Sequence, residues 1–172
     1  MNSDFCPLTL TDEEIHLLKN LRRLSDETGV EYGQLRNKYG FSNPYTSHDK
    51  NSVAVHFDPQ DESFVCLYHS HINETLFSRQ DYSLLIAHNV ARISVITSNC
   101  EVFSVYIGDG YRPGEEEYWD VVADIHSEVV FDMANRYGFL DLDPNQMTAM
   151  TYREMAFRIA RHFKWTLEGG TP

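Results

Sequence analysis

The stretch from Ser63 to His69 constrains the fold most. Phe64-Val65-Cys66-Leu67-Tyr68 is an unbroken apolar and aromatic run of strand length, bounded by the turn Asp58-Pro59-Gln60-Asp61 and by a polar loop from Ser70 to Phe77. Such a run reads as a buried strand, and a buried strand needs other layers to cover it. The first is supplied upstream. Thr11 followed by Glu14 forms a capping box, after which Ile15, Leu17, Leu18, Leu21 and Leu24 recur at helical spacing, so a helix is expected over residues 11 to 27, ended by Gly29.

Between Val30 and Val55 the apolar segments shorten and turn residues punctuate them, which predicts strands or a hairpin and a further strand from Ser52 to Phe57. Beyond the central strand, Ser78-Arg79-Gln80-Asp81 is a second capping box ahead of a helix from Tyr82 to His88. Ala91 to Thr97 and Val102 to Ile107 read as strands joined by Ser98-Asn99-Cys100-Glu101. An acidic start at Glu115-Glu116-Glu117 suits the positive end of a helix dipole, and predicts a helix to Tyr137. A second helix is expected from Gln146 to Leu167, its Met150, Tyr152, Met155, Phe157, Ile159, Phe163 and Trp165 expected to serve as core, with a partner-binding face as the alternative.

The expected fold class is therefore α+β, with a mixed, mostly antiparallel sheet flanked by helices and a carboxy-terminal helical pair. Residues 1–28 form an amino-terminal helix packed on the domain, 29–112 the core, and 113–172 a helical extension of what is one globular domain overall. At 172 residues the chain can bury such a core without staples.

A formal net charge of -12 disfavours nucleic acid as a partner, because phosphate binders depend on clustered Lys and Arg. The one basic cluster, Lys19 to Arg23, reads as a solvated helix face. Three cysteines, Cys6, Cys66 and Cys100, include no CxxC pair and leave at least one thiol unpaired, which favours a reducing compartment. No signal peptide or transmembrane run is found, so no membrane association is expected and a cytoplasmic location is, with secretion as an effector left open.

The residues that carry chemistry follow the central strand. His69 and His71 are two apart, so on an extended chain both imidazoles point to one face. Asp81 lies ten residues further, in the first turn of the next helix, where a short loop can return it to the strand end. Two histidines and a carboxylate satisfy zinc, which as a catalyst keeps a further position for water. Read blandly, Ser78 and Asp81 are only a helix cap. The ordered combination of His-x-His, loop, serine and aspartate is much rarer than its parts.

That combination resembles the JAMM, or JAB/MPN, metalloproteases, and Tyr39-Gly40-Phe41-Ser42-Asn43-Pro44 with Phe77-Ser78 looks like their bacterial JAB-like branch. The likeness spans roughly residues 29 to 110. Ile72 stands where the family usually has proline, and the gap to Ser78 is one residue shorter than in the commonest pattern. The resemblance implies an MPN/JAB-like, cytidine-deaminase-like fold and a zinc ion held by His69, His71 and Asp81. It also implies an upstream glutamate as general base, for which Glu31 is the best candidate because Asp26 and Glu27 fall at the helix end, and Ser78 as oxyanion donor. The implied activity is that of a zinc-dependent peptidase or isopeptidase on a protein or peptide substrate, a ubiquitin-like conjugate included, in a deubiquitinase-like, bacterial effector or toxin-associated setting. Two other classes stay open: a non-catalytic MPN-like scaffold that binds a partner, and a metal-dependent phosphoesterase, which the acidic composition disfavours.

Overall fold

The structure, a computed structural model, describes residues 5–50, 52–54, 65–87, 90–138 and 143–172. In chain order the elements are α1 (Asp12–Thr28), β1 (Gly33–Asn37), β2 (Gly40–Phe41), β3 (Val65–Ser70), α2 (Arg79–Ala87), β4 (Val90–Ile96), β5 (Val102–Tyr106), α3 (Glu115–Tyr137), α4 (Pro144–Phe163) and β6 (Thr166–Gly170). The six strands form one sheet in the order β2-β1-β3-β4-β5-β6. Neighbours are antiparallel except β3 and β4, which run parallel and are connected through α2. The α+β class and the mixed, mostly antiparallel sheet are thus as expected.

Alternation along the strands sends successive side chains to opposite faces, and each face has its own helices. On one side Leu17, Leu18 and Leu21 of α1 pack on Tyr68, Ile96 and Val102. On the other, Leu67, Ile93, Val95 and Val105 meet Leu85 of α2, Tyr118 and Val122 of α3, and Ile159 and Phe163 of α4. A fully buried Leu or Phe in such layers contributes about 1.5–3 kcal/mol relative to exposure. The central position of β3 places its carboxyl end, and hence the two histidines, between both layers.

Helix ends follow the sequence signals. Thr11 caps α1, and Asp143 accepts the Asn145 N–H at 2.9 Å to open α4, with Pro144 at its first turn. The carboxy-terminal helix is shorter than its periodicity suggests. It stops at Phe163, Lys164 takes a left-handed φ of 58°, and residues Thr166–Gly170 instead pair antiparallel with β5. A glycine is required there: a Cβ on Gly169 would lie 2.6 Å from Cδ1 of Phe103, whose ring packs on this strand. Residues 113–172 are therefore a helical pair followed by a strand that extends the sheet. The outer edge of that strand is covered by the amino-terminal segment, through Cys6 N–H to the Leu167 carbonyl and Gly169 N–H to the Cys6 carbonyl, each 3.1 Å.

Of the strand expected from Ser52 to Phe57, residues 52–54 carry no strand pairing and 55–57 lie outside the described residues, as do the turn at 58–61, the first residues of the strand expected from Ser63, and His88. The cysteines among the described residues are free thiols, and Cys66 is half-buried. Among the described residues no helix is long and apolar enough to cross a membrane.

Candidate metal centre

The site is built at the end of β3. His69 stands opposite Gly33 of β1 and beside Val95 of β4, and His71 follows just beyond the strand, its N–H donating to the Ile96 carbonyl at 2.8 Å. The rings lie edge to face with centroids 4.7 Å apart. Asp81 arrives from the first turn of α2. The capping box predicted there is formed: the Ser78 N–H donates to Asp81 Oδ2 at 2.6 Å, and the Asp81 N–H donates to Ser78 Oγ at 3.2 Å. Capping and site roles coexist, because the same carboxylate faces both histidines. Oδ1 is 3.2 Å from His69 Nε2, and Oδ2 is 3.9 Å from His71 Nε2.

Glu31 precedes β1 and reaches the same place. One carboxylate oxygen and one nitrogen from each of His69 and His71 lie within 4.8 Å of one another. Glu31, His69, His71 and Asp81 are all buried, at 5 to 7% exposure. They line a cavity of about 140 Å³ together with Val53, Leu67 and Ser78. All five residues singled out in the sequence are thus brought together, Ser78 as the cap of α2 with its side chain at the cavity wall.

His71 is fixed from three sides. Its Nδ1 lies 2.7 Å from the Thr75 carbonyl, so Nδ1 carries the proton and donates it there, and Nε2 turns its lone pair toward the cavity. Its own carbonyl accepts from Arg22 Nη1 at 2.7 Å. Arg22 is therefore not part of a solvated face: its side chain is 12% exposed, and its other nitrogens pair with Asp26. A backbone carbonyl holding the distal nitrogen of a ligand histidine is a common second layer of metal sites.

Burial and neighbouring charge divide the group into unlike partners. Burial disfavours a proton on both imidazoles, but the Asp81 carboxylate against His69 outweighs it and raises that pKa. For His71 burial together with the nearby His69 charge outweighs the pull of Asp81 and the Thr75 carbonyl, and pushes the pKa down to about 4. Burial would raise Asp81, yet His69, then His71 and the Ser78 N–H, hold it well below the usual carboxylate range. Burial pushes Glu31 up to about 7, with the Asp81 charge adding to the rise against the pull of His69.

A metal ion fits this donor set. Donors around a tetrahedral ion with bonds of about 2.0–2.1 Å sit about 3.3 Å apart, close to the His69–Asp81 separation. His69 Nε2 is buried and makes no hydrogen bond, although Asp81 lies beside it. An orphaned ring nitrogen facing a carboxylate is costly unless something between them takes both lone pairs. Two carboxylates are at hand, so the cluster can be completed by Asp81, by Glu31 or by both.

Arg22, which holds the His71 carbonyl from α1, and the Thr75 carbonyl carry no signal in the sequence. No family model, no curated protein and no solved structure matches the chain.

Proposed function

We propose that the cavity binds one zinc ion through His69, His71 and Asp81, and that the protein is a zinc-dependent amide hydrolase, a peptidase or isopeptidase of JAMM type. The observation that carries this is the convergence of two buried imidazole nitrogens and two carboxylates of opposite character on one small cavity. Two nitrogens and an oxygen with a fixed histidine tautomer suit zinc better than the harder, all-oxygen ions. Bound zinc would polarise a carbonyl and lower the pKa of a water from about 16 towards about 7.

The side chains divide the remaining work. Asp81, the stronger acid, stays ionised and pairs with the histidines, the property of a ligand. Glu31, with a pKa of about 7, takes a proton from the attacking water and returns it to the leaving amine, since a group poised near the working pH serves in both directions. The Ser78 oxygen is anchored by the Asp81 N–H, and its O–H is the donor offered to the oxyanion, a contribution of order 3 kcal/mol in comparable sites. The net charge of -12 supports a protein or peptide substrate over a polyanion.

The test uses zinc-loaded protein, chelated protein and Glu31→Gln against fluorogenic peptides, lysine-linked ubiquitin-like conjugates and phosphodiesters. Amide cleavage should vanish on chelation and return with zinc. Glu31→Gln should bind zinc about 10-fold or more weakly than the parent, still load at saturating zinc, and once loaded lose about 100-fold or more in kcat/KM. Zinc-loaded protein that cleaves no amide, or Glu31→Gln that works as fast as the parent, overturns the reading.

A further inference from the structure

The residue between the two histidines touches neither the cavity nor its carboxylates, yet it is fully buried. Ser70 sits on the opposite face of β3, toward α1. Because Gly33 lies opposite His69, the antiparallel register puts Tyr32 opposite Ser70. The Ser70 N–H donates to the Tyr32 carbonyl at 2.9 Å, as a backbone ladder requires. The return bond is different. Tyr32 N–H donates to the Ser70 side-chain Oγ at 3.0 Å, where a regular pair would use the backbone carbonyl of the opposing residue. The hydroxyl itself lies 3.4 Å from the Tyr32 carbonyl.

The peptide group clamped in this way joins Glu31 to Tyr32. Its orientation sets where the Glu31 side chain leaves the backbone, and that side chain ends among the two imidazoles on the far side of the sheet. Metal sites tolerate misplacement of only about 0.5 Å in such groups. We infer that Ser70 is a positioning residue, whose side-chain oxygen fixes Glu31 against the histidine pair so that metal affinity depends on a hydroxyl that never meets the metal. This rests on the metal-binding reading of the cavity. Removing the oxygen leaves the Tyr32 N–H without its acceptor and frees the peptide to rotate.

The experiment is a competition titration of zinc against a chromophoric chelator on the full chain. It compares the parent with Ser70→Ala, Glu31→Gln and the double variant, with thermal unfolding measured in parallel. Ser70→Ala should weaken zinc binding about 10-fold, within the range for groups that orient ligands. The double variant should bind no more weakly than Glu31→Gln alone, because Ser70 acts through Glu31; independent effects would multiply. Ser70→Thr and Ser70→Val have the same shape and differ in the hydroxyl, so they decide the matter even if alanine fails to fold: Thr should stay within about 3-fold of the parent, and Val should match the expected loss. Equal affinities for Thr and Val, or multiplicative losses in the double variant, overturn the assignment of Ser70 while leaving the metal site standing. A parent that takes up no zinc overturns the metal reading and this inference with it.

Discussion

The two faces of the sheet carry the same device with opposite outcomes. On each, a capping-box carboxylate at the start of a helix gives one oxygen to its own helix and turns the other onto β3. In α1, Glu14 Oε2 accepts from the Thr11 N–H at 2.8 Å, and Oε1 accepts from the Tyr68 hydroxyl and from Arg36 Nη1. In α2, Asp81 Oδ2 accepts from the Ser78 N–H while Oδ1 faces His69, the residue next to Tyr68. The Glu14 carboxylate has a donor for each oxygen. The Asp81 side has an orphaned ring nitrogen and a second carboxylate, Glu31, converging on the same cavity. A satisfied buried network holds a fold together, whereas converging unsatisfied donors are the form of a ligand site.

The largest effect that would separate the two faces is on metal uptake. His71→Ala should lower zinc affinity by at least about 1,000-fold, equivalent to about 4 kcal/mol, since it removes a ligand outright. Elemental analysis should then find zinc in the parent and almost none in the variant; equal zinc in both would erase the contrast. On the other face the currency is stability. Glu14→Gln should destabilise the protein by about 2 kcal/mol, the scale of a charged buried hydrogen bond, measured by urea unfolding. Its zinc affinity should stay within about 3-fold of the parent, and a loss as large as that of His71→Ala would merge the two networks into one.

The smallest effect lies in acid. Burial would raise the Glu14 pKa, but the hydrogen bonds from Tyr68 and Thr11 and the charge of Arg36 outweigh it and the net shift is downward. A carboxyl whose folded pKa lies below its unfolded value contributes stability that is fully present above the unfolded pKa, near 4.5, and is lost as pH falls through the folded value. Between about pH 5 and 3, stability of the zinc-free parent should therefore fall more steeply than that of Glu14→Gln. Parallel curves would show that Glu14 gains nothing from its partners.

Both capping boxes are legible in the sequence because they are local: four residues specify the cap and its carboxylate. The same locality made α1, β4, β5 and α3 readable from their periodicity and turns. Where the second oxygen goes is decided by distant packing, so no pattern distinguishes Glu14 from Asp81; only the His-x-His preceding Asp81 does. β6 was hidden for a related reason. Leu167-Glu168-Gly169-Gly170 lacks strand character of its own, and becomes a strand because Phe103 and Phe5 need a bare backbone to pack upon and β5 needs a partner. The parallel pairing of β3 with β4 is likewise a consequence of α2 crossing between them, which spacing alone does not convey. Arg22 reads as one more charge on a basic helix face until the fold brings the His71 carbonyl within its reach.

That reach has a practical corollary for anyone trimming this molecule. A chain begun at residue 29 would retain every converging side chain and every strand of the sheet, and on paper would be the minimal metal-binding unit. It would also lose the guanidinium clasp on the His71 carbonyl and the hydrophobic lid over Tyr68 in one cut. The amino-terminal helix is joined to the candidate centre through the backbone of one of its two histidines.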